Sequence, residues 1–404
     1  MISKFKNLGP GLLFAGATIG VSHLVQSTRA GADFGLGLIW ALLLVNLCKY
    51  PFFQFGPRYA MATNESLLEG YKKLGTWVLV IYLVINFATM FTIQTTVTIV
   101  TAGLASSLFG NTINLEIWTI IVTTICFCLL IFGKYQLLDR LMKIIVIALT
   151  ISTLTAIFIA YHNNNQEFAL TQIFPENTAD IAFLIAFMGW MPAPLDVSVW
   201  QSLWCMEKNK ETKKYTPKTA LFDFNVGYIS TIFTGIGFLL LGAYVMFHSG
   251  ETFSNSAGQF ANQLINMYTI NLGSWTYFII GVAAFTTMFS TTLTTLDASP
   301  RTMEKTLELL SNKKTFFNYT FWIVLLSLGT IVIFHFLASE MGFLVKIATI
   351  LSFLTAPFFA ILNYVLITSK HTPKEWHPST KLHILSWLGI LFSIGFSIWY
   401  LTTL

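Results

Sequence analysis

The sequence predicts an all-α polytopic membrane protein with about eleven transmembrane helices. Three observations predict it. First, 55% of the residues are hydrophobic and only 10% charged, against about 25% charged in a soluble domain; the mean hydropathy is +0.68. Second, long stretches free of Lys, Arg, Asp and Glu alternate with short polar loops, the pattern of repeated bilayer crossings. Third, two apolar segments far apart in the chain are interrupted near their middles by Gly, Pro and polar residues.

The predicted helices run over approximately 10–32, 36–60, 76–108, 115–133, 137–161, 181–203, 225–248, 274–298, 317–337, 342–368 and 382–403. The third is long enough to tilt strongly. The loops around 205–222 and 162–180 are too short for a core of their own, so residues 1–404 read as a single transmembrane domain. Basic Met1–Lys6 before an apolar run has the form of a signal peptide, with small residues at Ala15-Gly16-Ala17. The helix count and the loop charges both require that segment to be retained.

Loop charge supports the count. Lys72 and Lys73 follow helix 2; Lys134 and Arg140 follow helix 4; Lys208, Lys210, Lys213, Lys214 and Lys218 follow helix 6. Arg301, Lys305, Lys313 and Lys314 follow helix 8, and Lys370, Lys374 and Lys381 follow helix 10. The connections Asn111–Glu116, His162–Asp180, Ser249–Gly273 and Ala338–Gly342 hold no Lys or Arg. By the positive-inside rule the N-terminus is cytoplasmic, and eleven spans put the C-terminus outside. The net charge of +5 therefore encodes topology and not nucleic-acid binding. Cys48, Cys126, Cys128 and Cys205 read as small apolar helix residues with no zinc spacing and no disulfide.

The two interrupted segments carry the function. One is Gly16-Ala-Thr-Ile-Gly-Val-Ser-His-Leu-Val-Gln26 in helix 1; the other is Met188-Gly-Trp-Met-Pro-Ala-Pro-Leu-Asp196 in helix 6. Five helices separate the two starts, so helix 6 enters from the opposite side. Units of about 9–161 and 181–368, with helix 11 as an extra, then form an inverted repeat whose broken first helices meet at the midplane. Unwound carbonyls there suit a cation, and half-helix N-termini suit an anion. Kinks of purely packing origin are the alternative.

On helix 1, His23 and Gln26 share a face, and Ser22, Gln26, Arg29 and Asp33 form the adjacent stripe. These line the outer half of a pathway, or Arg29 and Asp33 form an i,i+4 pair at the interface. His23 is a cation ligand, a proton carrier or a packing residue. Asp196, the lone carboxylate in helix 6, is a coupling acid or ligand, or pairs with Lys49 or Lys346. Helix 8 carries hydroxyls at Thr287, Thr291, Thr294 and Thr295 that either pack between helices or form a sodium-type oxygen site. Asp297–Arg301 and Asp139–Lys143 are spaced as ion pairs, the latter an anchor or gate. No phosphate loop, His-Glu-x-x-His or protease pattern is present, so no enzyme and no cofactor is predicted.

The chain resembles the NRAMP family of divalent-metal transporters, within the LeuT-like superfamily. The residues that carry the resemblance are Gly9-Pro10-Gly11, Ala30-Gly-Ala-Asp-Phe-Gly35, Met191-Pro192, and the Ser/Thr-rich helix 8 leading to Met303-Glu304. The resemblance implies a LeuT-like 5+5 inverted repeat in the cell membrane and a metal site between the two breaks. It departs from the family at the site itself. Gly20, Val21, Ser22 and His23 stand where the family has Asp-Pro-Gly-Asn, and Ala193 stands where Met-Pro-His has its His. The implied binding set is then Gly20, Val21, Ser22, His23, Gln26, Met188, Met191 and Ala193, with His23 and Met191 as softer metal ligands. Asp196 or His23 would couple protons, with Arg29, Asp33, Thr294 and Asp297 in coupling or gating roles. The expected cargo is a divalent metal. An organic solute carried with sodium or protons, or a membrane sensor that moves nothing, are the alternatives.

Overall fold

The computed structural model describes residues 8–110, 113–163, 170–212, 215–247, 254, 257–337 and 341–403. Met1–Lys6, Asn111, Lys213, Lys214, Ser249 and Ala338, used above to read the loops, lie outside them. The described chain is helical throughout.

The first segment is broken as expected. Helix α1 (Pro10–Thr18) starts on a proline at its first position, where the missing N–H costs nothing. The chain leaves α-geometry at Ile19–Gly20, passes through a π-helical turn at Ser22–Ser27, and resumes as α2 (Thr28–Phe34). The second break has the same design: α7 (Thr178–Trp190), an unwound stretch Met191–Asp196 with a cis Met191–Pro192 peptide, then α8 (Val197–Glu211).

Between the breaks lie α3 (Ile39–Thr63), a short α4 (Leu67–Leu74), α5 (Thr76–Phe109) and α6 (Leu115–Asn163). After them come α9 (Pro217–Met246), α10 (Ala257–Leu272), α11 (Thr276–Ser311), α12 (Tyr319–Leu337), α13 (Met341–Thr368) and α14 (Thr380–Thr403). By length and apolarity, eight segments can cross a membrane among the described residues, and Thr178–Trp190 is a shorter apolar helix. Large apolar side chains such as Phe132, Phe233 and Phe336 point outward from these segments, 81%, 70% and 76% exposed, as lipid-facing residues do.

Three expectations are refined, the first of them borne out as to its two spans. The helices predicted at 115–133 and 137–161 are present as two apolar spans, Leu115–Gly133 and Tyr135–His162, with helical backbone carried through the turn between them over 49 residues. At 1.5 Å per residue a straight rod would reach about 74 Å, over twice the hydrocarbon thickness. It is instead a hairpin: Glu116 near its start pairs with His335 at the end of α12, and Tyr161 near its end stacks on Tyr244 at the end of α9. Both ends thus reach one face, while Asp139 in the middle pairs with Lys208 at the opposite, lysine-rich face. Gly133 sits at the bend, where a Cβ would lie 2.2 Å from the Leu137 side chain. Secondly, the loop around 65–75 holds α4, started by a Ser66/Glu69 capping box. Thirdly, the Ser249–Gly273 connection, larger than the loops singled out above, contains the 16-residue α10.

Helix α9 is the platform for the broken first segment. A Cβ on Gly227 would lie 1.9 Å from Gly11 O, one on Gly31 2.0 Å from Leu239 O, and one on Gly242 2.1 Å from Thr28 O. Only glycine permits such backbone-to-backbone approach, the small-residue packing of membrane helices. Asp223 of α9 also accepts from Gly9 N and Gly11 N at 3.2 and 2.9 Å, capping α1 from another helix, and takes a third bond from the Tyr215 hydroxyl at 2.8 Å. Both halves of the first segment are therefore seated on one helix.

Candidate functional site

The two breaks face each other across a small cavity. One wall is Ala17, Thr18, Gly20, Val21 and Ser22; the other is Trp190, Pro192, Ala193, Pro194, Val197 and Trp200. Ile93 and Val97 of α5, with Thr291 and Thr295 of α11, close the sides. Not one lining residue is ionisable. What the cavity offers is neutral: hydroxyls, carbonyls of unwound backbone, and two indoles. The Trp200 Nε1–H has no hydrogen-bond partner among the described residues.

At Gly20, which the sequence reading sets at the family's Asp position, the surroundings leave no room for a side chain. A Cβ there would lie 2.5 Å from Thr291 Oγ1 and 2.8 Å from its Cγ2. Thr291 has moved into the space, with Oγ1 3.2 Å from Gly16 O and 3.1 Å from Ile19 O. Its neighbour Ser290 also donates to Gly16 O, at 3.1 Å. The hydroxyls of α11 thus satisfy carbonyls freed by the first break. Thr294 and Thr295 differ: Thr294 bonds back to its own helix at Ser290 O, while Thr295 donates to Gln94 Oε1.

The predicted binding residues divide into two groups. Gly20, Val21, Ser22 and Ala193 line the cavity. His23, Gln26, Met188 and Met191 do not. The His23 ring is fully buried against α9, with Nε2 3.1 Å from Thr231 O and Nδ1 2.8 Å from Ser22 Oγ. A carbonyl only accepts, so Nε2 carries the proton and Nδ1 accepts from the serine. Both ring nitrogens are thereby engaged, which removes His23 from the ligand set read from the sequence. Ser22 Oγ also lies 3.1 Å from Thr18 O and from Pro192 O, acceptors that compete with Nδ1 for its one proton, so the hydroxyl sits where the two breaks meet. Met188 and Met191 pack in an apolar cluster with Leu184, Phe187 and Leu239. Among the described residues no group of three His, Cys, Asp or Glu is placed to hold a metal.

Gln26 and Arg29 line a second, larger cavity on the far side from the basic loops, of about 1040 Å³, shared with Phe183, Phe343 and Lys346. Arg29 makes no ion pair with Asp33; its guanidinium lies 5.7 Å from the Phe183 ring centroid, a cation–π contact. Asp33 is exposed. Asp196 pairs with neither Lys49 nor Lys346. It sits at the N-cap of α8, buried, and its Oδ1 has no partner.

Below the cavity, the basic face is closed by charge. Asp139 binds Lys143 at 2.8 Å and Lys208 of α8 at 3.0 Å. Asp297 is gripped by Arg301 at 2.7 Å, Trp204 Nε1 at 3.2 Å and the Tyr319 hydroxyl at 3.0 Å. Both pairs expected from i,i+4 spacing are present, and the second draws in partners from α8 and α12. Sequence reasoning missed Trp190 and Trp200, which read as ordinary apolar helix residues. It also left Lys49 unexplained; its ammonium lies among carbonyls of the second break.

The family profile described as "Natural resistance-associated macrophage protein-like", Nramp, matches residues 11–403. The chain belongs to the Nramp family. With its apolar helices, that makes it an integral membrane protein. An uncharacterized protein of Pasteurella multocida (strain Pm70) is 36% identical over 408 residues, 99% of this chain and 92% of that protein. Among solved structures, the Eremococcus coleocola manganese transporter in complex with an aromatic bis-isothiourea substituted compound aligns with a TM-score of 0.77 at 12% identity. The alignment covers 96% of this chain and 84% of the transporter. MhsT in complex with L-phenylalanine aligns at 0.66 and 11% identity over 98% of both chains. MHP1, a nucleobase-cation-symport-1 family transporter, aligns at 0.63 and 13% identity over 98% of this chain and 93% of its own. At such identities the likeness is one of fold, and it places this Nramp chain in the LeuT-like architecture.

Proposed function

We propose that this Nramp-family protein is a carrier and not an enzyme, moving a divalent metal ion across the cytoplasmic membrane by alternating access. The observation that carries the reading is the cavity between the two apposed breaks, in a chain whose structural neighbour is a manganese transporter. The ion would bind neutral oxygens: the hydroxyls of Thr18, Ser22, Thr291 and Thr295 and the carbonyls of the first unwound stretch. Such a hard, uncharged set suits an ion that keeps part of its water shell. Adding the two broken segments and α3 to the eight apolar segments gives eleven crossings. Two inverted units of five helices then follow, with the N-terminus cytoplasmic and the C-terminus outside. Asp196, buried with an unpartnered oxygen beside the cavity, is the proposed proton carrier.

A second reading is favoured by one observation. The cavity is small, largely apolar and walled by two indoles, one with an unused N–H donor. A cation cannot accept that hydrogen bond; an organic solute with a carbonyl or carboxylate can.

Calorimetric titration of the purified protein with Mn²⁺, Fe²⁺, Zn²⁺ and Mg²⁺ tests the first reading, with Thr291→Val and Ser22→Ala alongside. Saturable binding of one metal, weakened in both variants, and saturable uptake in proteoliposomes are expected. Heat from none of the metals, with stabilisation by small amino acids or nucleobases, would replace it with the second.

A further inference from the structure

Lys49 of α3 is buried, 2% exposed, and among the described residues it has no carboxylate partner. Its ammonium is held by backbone alone: Gly189 O at 2.7 Å, Met191 O at 2.8 Å and Met188 O at 3.2 Å, with Ala193 O further off at 3.5 Å. Three N–H donors meet three near carbonyls, and the fourth completes the ring. These oxygens belong to the end of α7 and the stretch that follows. They are orphaned because the helix stops, and they lie at the negative end of its dipole. Ammonium–oxygen distances of 2.7 to 2.8 Å are those of charge-assisted hydrogen bonds.

A lysine reaching back to the last carbonyls of its own helix is an ordinary C-cap. Here the lysine comes from a helix about 140 residues earlier, and the carbonyls flank the cavity on the side of Trp190 and Ala193. We propose that this carbonyl ring is a monovalent-cation site filled permanently by the chain's own Lys49 ammonium. The carrier thus holds as a side chain the charge that a dissociable ion would otherwise bring to the second break. It follows that the carbonyls of Met188, Gly189, Met191 and Ala193 are closed to free ions in the wild-type protein. Cargo is left with the first break and the α11 hydroxyls.

The test is Lys49→Ala, purified and unfolded thermally in ammonium, potassium, sodium or N-methylglucamine chloride at equal ionic strength. Ammonium should raise the unfolding temperature of the variant saturably, with potassium next, sodium weaker and N-methylglucamine without effect. The wild type should not respond. Recovery of intact variant only from ammonium-containing buffer would also support the site. A variant indifferent to all four cations, or one that fails to fold in every salt, would overturn it. The readout is the stability of the chain itself, so the result stands whether or not the protein carries a metal.

Discussion

A carboxylate placed at position 20 should damage this protein and not improve it. In Gly20→Asp, the new Cβ would lie 2.5 Å from Thr291 Oγ1 and 2.8 Å from Cγ2, inside van der Waals contact. Thr291 cannot retreat freely, because its hydroxyl is bonded to Gly16 O and Ile19 O. Overpacking of this kind costs about 1–3 kcal/mol. The carboxylate then faces a cavity with no cationic side chain, and an uncompensated buried charge costs about 3–5 kcal/mol. The sum is about 4 kcal/mol or more, roughly a thousandfold in the folded-to-unfolded ratio. Thermal unfolding of Gly20→Asp, Thr291→Ala and the double variant separates the two parts. The double variant should recover the steric share but not the electrostatic share, and Mn²⁺ should stabilise it more than the wild type. Gly20→Asp unfolding at the wild-type temperature without metal would refute this account of why the glycine is there.

Three further outcomes follow from geometry already described. Asp139→Asn weakens the one ion pair that joins the α6 hairpin to α8, Asp139–Lys208, together with the Asp139–Lys143 pair within α6, and it should raise the maleimide labelling rate of buried Cys205 several-fold; an unchanged rate would mean the charges do not keep the basic face closed. Gly31→Ala should lower the unfolding temperature and Gly31→Leu should yield no monodisperse protein, since even the first carbon meets Leu239 O at 2.0 Å; a wild-type-like Gly31→Leu would contradict the backbone contact. Burial pushes the Glu69 carboxyl up, but the Lys305 bond and the Ser66 capping box outweigh it and hold it below the usual glutamate value. Its stabilisation is therefore present above about pH 4.5 and lost as pH falls through the lower folded value. Glu69→Gln should remove that acid limb and cost about 1 kcal/mol at neutral pH, read by thermal unfolding across pH.

The fold was legible because a bilayer leaves few choices. Apolar length marked the spans, and Gly, Pro and polar residues at mid-span marked both breaks. The turn after Gly133 was legible from the basic Lys134 and Arg140 between two apolar runs, but not that helical backbone carries through it. Helices α4 and α10 escaped because a search for long apolar runs passes over short amphipathic ones. At the site, the backbone half was readable and the side-chain half was not. Gly20 and Ser22 face the cavity as their place in the break suggests. His23 turns away to α9, because a π-helical turn rotates its residues off the α-helical wheel used to assign them. The partner of Arg29, the Phe183 ring, comes from another helix, which spacing within one helix does not encode.

The absence of ionised groups from the cavity wall has an electrical consequence. An acidic site offsets the charge of its passenger, so that site and ion move through the field with less net charge. Here nothing in the cavity wall offsets it, and a divalent ion would feel the membrane potential in full. Two charges crossing 100 mV exchange about 4.6 kcal/mol with the field; with a neutral wall all of it falls on the loaded step, and the empty site returns without feeling the potential. The resting potential alone would then drive such a cargo inward, and a potassium diffusion potential imposed on proteoliposomes would set the direction and extent of uptake.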